Sequence, residues 1–306
     1  MVSDFREERL AIVSRSYPSV KATKNPDDLI LSDDIDAIVI ATPVFTHYEL
    51  AKKALQNGKH VLLEKPMTST VREAEQLIEL AARNKLTLMV DHTFLYTGAL
   101  KKMNQLIKDG IMGNIQYFDS SRINLGLFQP DVNVLWDLAP HDISMLLHLV
   151  DLKPYSVNAT GVSHTQNGIE NVAYLTVNYT SDFIAHFSCS WSSPVKLRTL
   201  LIGGDKKMLL FNDLEPTEKI KIYDTGYNYK SDEEKKRLLV DYRTGDIYIP
   251  KVELNEALFG MAQDFINSII NRTEPISNAN LGLEVIKILE CAQQSIKQKG
   301  KEVILN

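Results

Sequence analysis

Over the first ninety or so residues, apolar positions switch repeatedly between helical and strand spacing. Phe5 to Tyr17 has helical intervals, with Leu10, Ile12 and Val13 predicted to face inward. Asp36-Ala-Ile-Val-Ile-Ala-Thr42 is a largely apolar run of strand length that breaks at Pro43. Thr46 to Glu49 has the form of a capping box opening a helix, which stops at Asn57-Gly58. His60 to Leu63 reads as a second buried strand. Thr70 to Glu73 repeats the capping form ahead of a helix reaching about Asn84, and Leu86 to Val90 is a third strand. Strands apolar on both faces and separated by helices predict βαβ crossovers in a parallel sheet.

From about residue 114 the pattern becomes one of successive strands: Ile115 to Ile123, Val172 to Asn178, Phe183 to Trp191, Lys196 to Ile202 and Lys207 to Phe211. Alternation such as Val172, Tyr174, Thr176 against Ala173, Leu175, Val177 suits an antiparallel sheet with two unequal faces. A helix from Asp137 to Leu149 interrupts it. Asp213 to Val252 reads as hairpin and loop, followed by helices at Asn255–Asn271 and Asn280–Lys297 and a last strand at Glu302–Leu305. The predicted class is α/β: a Rossmann-type parallel sheet over 1–92, then an α+β domain over 93–306 with an open, mostly antiparallel sheet.

Composition agrees with two domains. The 306 residues are 44% hydrophobic and 24% charged, enough to bury two cores. The net charge of -5, without a basic block, argues against nucleic acid or an anionic membrane surface as partner. Two cysteines in no metal-type spacing predict a reducing, cytoplasmic setting and no zinc site. No run approaches the ~20 apolar residues of a membrane helix.

Three motifs could carry chemistry. Leu62-Leu-Glu64-Lys65-Pro66 ends a predicted parallel strand, where ligands of open α/β sheets bind. The alternative for Lys65 is a surface lysine lying over its apolar neighbours. In Trp136-Asp137-Leu-Ala-Pro140-His141, Asp137 and His141 stand four apart on one helical face, the pairing a general base requires. The alternative makes Asp137 an N-terminal cap and His141 a half-buried hydrogen-bonded residue. The third is Ala41-Thr42-Pro43, with His47 four residues after Pro43. No G-x-G-x-x-G occurs in the chain, whose first glycine is Gly58.

In combination these motifs resemble the Gfo/Idh/MocA oxidoreductases over nearly the whole chain. The resemblance implies an NAD- or NADP-binding Rossmann domain and a second domain that binds a sugar or nucleotide-linked sugar. The open sheet face of that second domain commonly pairs in a homodimer or homotetramer. It implies that Thr42, Pro43 and His47 line the nicotinamide side, and that Glu64 and Lys65 stand where cofactor and sugar meet. It further implies that His141 is the base, Asp137 its companion, and Asp4 the acid on the adenosine ribose. An acid at that point favours NAD, although Arg6 tolerates a 2′-phosphate. The stretches holding Arg122, Asn133 and Trp136 look like those of relatives acting on nucleotide-linked amino sugars, and offer donors and an aromatic face to substrate. The family's first strand, glycine turn and first helix have no counterpart here. The expectation is either a start upstream or a degenerate fragment. The rival to a sugar dehydrogenase is therefore a non-catalytic sugar-binding regulator, or a remnant unable to hold cofactor.

Overall fold

The computed structural model describes residues 1–228 and 241–305, which fall into two units. The first is Met1–Asp91 with Ala262–Ile286, and the second His92–Met261 with Lys287–Asn306. The stretch 262–286, expected within 93–306, folds with the first unit for a visible reason. The Val90 N–H donates to the Ser277 carbonyl at 3.0 Å, Ser277 Oγ donates to the Val90 carbonyl, and Met89 forms an antiparallel bridge with Asn278. The segment thus satisfies backbone groups along a strand edge.

In the first unit the order is β1 (Val2–Ser3), α1 (Glu7–Ser16), β2 (Ala22–Thr23), α2 (Asp27–Ile30), β3 (Ala37–Ile40), α3 (His47–Gln56), β4 (His60–Leu63), α4 (Val71–Asn84) and β5 (Leu88–Val90). Strands β3, β4 and β5 pair in parallel, as do β1 and β2. Among the described residues no ladder joins the two pieces. The apolar β4 is buried throughout from Val61 to Leu63, whereas Val39 in β3 is 64% exposed. In α1 only Leu10 is buried, and Ile12 faces solvent instead of inward.

The two expected capping boxes part company. At Thr70 the box forms: Thr70 Oγ1 accepts from the Glu73 N–H at 3.2 Å, and Glu73 Oε2 accepts from the Thr70 N–H at 3.1 Å. At Thr46 it does not. A 3₁₀ turn, Val44–Thr46, precedes α3, and Thr46 Oγ1 donates instead to the Pro43 carbonyl at 2.7 Å. Thr46 is already helical in φ and ψ, so its hydroxyl cannot reach forward as a cap. Gly58, at φ +75°, turns the chain from α3 into β4 in a conformation a side chain resists.

The second unit begins with α5 (Gly98–Lys108), which the hydrophobic pattern had not revealed. Then come β6 (Ile115–Leu125), α6 (Val134–Leu149), β7 (Pro154–Val162), β8 (Val172–Tyr179), β9 (Ile184–Ser190), β10 (Ser192–Gly204) and β11 (Met208–Asn212). The chain continues through β12 (Ile220–Tyr223), β13 (Gly226–Asn228), β14 (Asp241–Arg243), β15 (Ile247–Tyr248) and β16 (Val303–Ile304). Part of the expected hairpin-and-loop region, 229–240, lies outside the described residues. Two closing helices run Ala257–Asn271 and Ala279–Lys297.

Nine strands form one sheet in the order β15-β12-β11-β10-β6-β9-β8-β7-β16. All its neighbours are antiparallel except β6 and β9, which run parallel because α6, β7 and β8 intervene between them in the chain. The inner face carries Phe118, Ala173, Leu175, Val177, Ala185, Phe187, Leu200 and Ile202, all at most 1% exposed, and α6 packs across β6, β8 and β9. Tyr174, Ile184 and Leu201 face outward at 49%, 48% and 41% exposure. The register therefore assigns Phe187 to the core and Tyr174, Ile184 and His186 to the other face.

Candidate functional site

The first unit gathers its chemistry at one edge. Because β3, β4 and β5 are parallel, with Ile40 opposite Leu63 and Leu63 opposite Val90, their carboxyl ends lie side by side. Thr42 and Pro43 follow β3, Glu64 and Lys65 follow β4, and Asp91 follows β5. The Lys65–Pro66 peptide bond is cis. His47 is 1% exposed and braces two of these loops, with Nε2 2.8 Å from the Thr42 carbonyl and Nδ1 3.0 Å from the Pro66 carbonyl. It shapes the edge from behind, while Thr42 and Pro43 are exposed on it.

Glu64 Oε2 accepts the Lys65 N–H at 3.0 Å. Burial, reinforced by the charge and hydrogen bond of Asp91, pushes the Glu64 carboxyl up to about 7. The Glu64 carboxyl is thus raised toward neutral pH, beside the Lys65 backbone. Asp91 was not among the expected site residues. The rule that singled out Lys65, its place just past a parallel strand, applies equally to Asp91.

Asp4 follows β1 at the same kind of strand end. Its carboxylate takes the Arg6 N–H at 2.8 Å and the guanidinium at 3.1 and 3.0 Å. That hydrogen bonding holds the carboxyl below its usual range. Asp4 thus presents a held carboxylate at the end of β1. Residues 1–57 contain no glycine.

In the second unit the chemistry stands on α6. Asn133 caps this helix: its Oδ1 accepts from the Leu135 and Trp136 N–H groups at 3.1 and 3.2 Å. Its Nδ2 donates to Glu170 and Gln293 at 3.0 and 2.6 Å. Asn133 is 5% exposed, so a side chain expected to meet substrate serves the helix instead. The cap also moves the helix start to Val134. Asp137 is thereby excluded as N-cap, and Pro140 lies inside the helix instead of its first turn.

Arg122 departs further from expectation. It is 5% exposed, and its Nε and Nη2 donate to the two Asp142 oxygens at 2.9 and 2.7 Å. Ser120 Oγ adds a third bond to Asp142 at 2.9 Å. The guanidinium also lies 4.7 Å over the Phe94 ring, which in turn meets the His141 imidazole at 5.1 Å. Arg122 thus backs the residues around His141 from inside the core.

Asp137 and His141 occupy successive turns of one helix face. Asp137 Oδ2 accepts from the indole Nε1 of Trp191 at 3.0 Å. Trp136, next to Asp137, is half-buried. A carboxylate and an imidazole so spaced can support proton abstraction from a hydroxyl. Trp191 escaped the sequence reading because its bond to Asp137 spans 54 residues of chain and leaves no local signature. Among the described residues no group of three or more His, Cys, Asp or Glu is placed to hold a metal ion. No helix among them is long and apolar enough to cross a membrane.

Comparison with known proteins gives matching results for both units. Residues 1–92 match the family described as "Oxidoreductase family, NAD-binding Rossmann fold", and residues 100–210 match "GFO/IDH/MocA C-terminal domain". A UDP-N-acetylglucosamine 3-dehydrogenase from Acidithiobacillus ferrooxidans is 33% identical over 186 residues, covering 58% of this chain and 55% of that protein. A scyllo-inositol 2-dehydrogenase (NADP(+)) from Bacillus subtilis is 28% identical over 217 residues, 66% of this chain and 55% of its own length. The chain spans about half the length of the curated relatives it matches. A levoglucosan dehydrogenase solved with NADH and levoglucosan shares the fold at a TM-score of 0.82 and 20% identity, over 99% of this chain and 89% of that one.

Proposed function

Because the chain belongs to the Gfo/Idh/MocA oxidoreductase family, we propose that it is an NAD(P)-dependent dehydrogenase acting on a ring hydroxyl or ketone of a sugar or nucleotide-linked sugar. The observation that carries this reading is the Asp137–His141 pair, presented on one face of α6 with the carboxylate held by Trp191. A bound nicotinamide nucleotide supplies the hydride acceptor. His141 takes the proton of the substrate hydroxyl, and the Asp137 carboxylate stabilises the imidazolium that results. The Lys65 ammonium, at the end of β4, would offset negative charge developing on a reacting oxygen. Thr42, Pro43, Glu64 and Asp4 would contact the nucleotide, with Asp4 favouring a free 2′-hydroxyl and hence NAD. Trp136 would present its ring to the sugar.

The test is formation of reduced nicotinamide from NAD or NADP, with UDP-N-acetylglucosamine, scyllo-inositol and levoglucosan as substrates. Turnover of at least one, abolished by His141→Asn, is the expected result. The second reading is a sugar-binding protein without turnover. Calorimetric heat on adding a sugar, with none on adding NADH and no turnover, would favour that one.

We also propose that the outer sheet face pairs with a second copy of the chain. Tyr174, Ile184 and Leu201 are large apolar side chains left exposed on it, among polar neighbours such as His186 and Ser188, and exposed apolar groups on a sheet face are a common basis for pairing. Light scattering at micromolar concentration is expected to give a multiple of 34.6 kDa. A single species at the chain mass removes the proposal.

A further inference from the structure

Asp137 is in the first turn of α6, where its carboxylate has several rotamers open to it. One restraint on it comes from Trp191, whose indole N–H donates to it at 3.0 Å. Trp191 is the single residue between β9 and β10, at the corner where the chain leaves one strand and enters the next. Three contacts that do not involve Asp137 fix it there. Its N–H donates to the Asn171 carbonyl at 2.9 Å, its carbonyl accepts from the Gly126 N–H at 3.0 Å, and its ring packs against Phe128 at 5.5 Å. At 1% exposure the indole cannot turn to water, so its N–H is a donor aimed in advance and does not follow the carboxylate.

We infer that Trp191 is a positioning residue for the proposed proton-transfer pair: its fixed indole N–H, 3.0 Å from Asp137 Oδ2, orients that carboxylate for His141 one turn on. The inference rests on the proposed roles of Asp137 and His141. It adds that their geometry is set by the β9–β10 corner as well as by α6. A hydrogen bond to the ionised form favours the charge, and a charge held in one place stabilises an imidazolium better than one that wanders. The rival account is that Trp191 merely fills the core.

The chain has two tryptophans, so its indole N–H region holds two signals, and Trp136→Phe assigns them. In the wild-type chain the Trp191 signal is expected at low field, as for a donor to a carboxylate, and to exchange slowly with solvent. Asp137→Ala should leave the signal present, move it to higher field and speed its exchange. A Trp191 signal whose position and exchange rate are unchanged in Asp137→Ala overturns the inference. These measurements need no substitution of Trp191 and no turnover. A failure of the dehydrogenase reading would therefore show separately, as absence of sugar oxidation with the indole linkage intact. Where turnover is present, Trp191→Phe keeps the aromatic bulk and removes only the donor. Its kcat should fall roughly tenfold with KM little changed, in keeping with loss of one oriented hydrogen bond. An unchanged kcat supports core filling alone.

Discussion

Under the proposed dehydrogenase activity, Lys65→Ala is expected to lower kcat by about 10²-fold or more, the usual consequence of removing one positioned electrostatic group. The expectation starts from the sheet. Val61, Leu62 and Leu63 of β4 are each at most 4% exposed and paired on both sides, so the strand end delivers Lys65 to a fixed place. That place is the carboxyl edge shared with Thr42, Glu64 and Asp91, where an open parallel sheet binds its ligands. Lysine is a compact charge on a flexible stem, and Arg cannot occupy the same volume with the same geometry. Lys65→Arg should therefore recover only a small part of the loss. Steady-state kinetics decides the matter, with circular dichroism to show that both variants fold. A Lys65→Ala enzyme with unaltered kcat returns the residue to the role of a surface lysine.

Arg122→Met destabilises the second unit by about 3–5 kcal/mol, because it strands the Asp142 carboxylate in the core. Asp142 is 3% exposed, and two of its three side-chain donors come from that one guanidinium; Ser120 alone cannot replace the charge. The pair itself is a poor source of stability, since burying both ions costs much of what their attraction returns. Arg122→Met with Asp142→Leu should accordingly recover most of the loss. The asymmetry is readable as the urea midpoint of single and double variants, with the slope unchanged. A single variant within about 1 kcal/mol of wild type would mean that water or a neighbour reaches Asp142 after the change. The double variant also tests whether the Phe94 ring keeps its place against His141 once the guanidinium above it is gone.

The fold class was legible because it depends on periodicity. The runs at 37–40, 60–63 and 88–90 are apolar enough to be buried strands whatever surrounds them, and βαβ spacing leaves them parallel. The strand β7 was not legible: it begins at Pro154 and carries Asn158, Thr160 and Gly161, and it is held by its pairing with β8 and β16. Thr46 and Thr70 have the same local form, yet only Thr70 caps. The difference lies in the 3₁₀ turn that Pro43 starts, which leaves Thr46 already helical.

By itself the sequence determined the parallel strands β3, β4 and β5, the Rossmann-like class, and that Asp137 and His141 share a helix face. Each of these follows from spacings of a few residues, which the chain's own geometry converts into direction. Only the tertiary structure decided the roles of Arg122, Asn133 and Trp191. It turned the first two inward to a buried carboxylate and a helix start, and brought the third onto Asp137 from a corner 54 residues away. Those roles depend on which polar partner lies within hydrogen-bond reach once the core excludes water. That partner is set by packing between distant segments, and no local pattern encodes it.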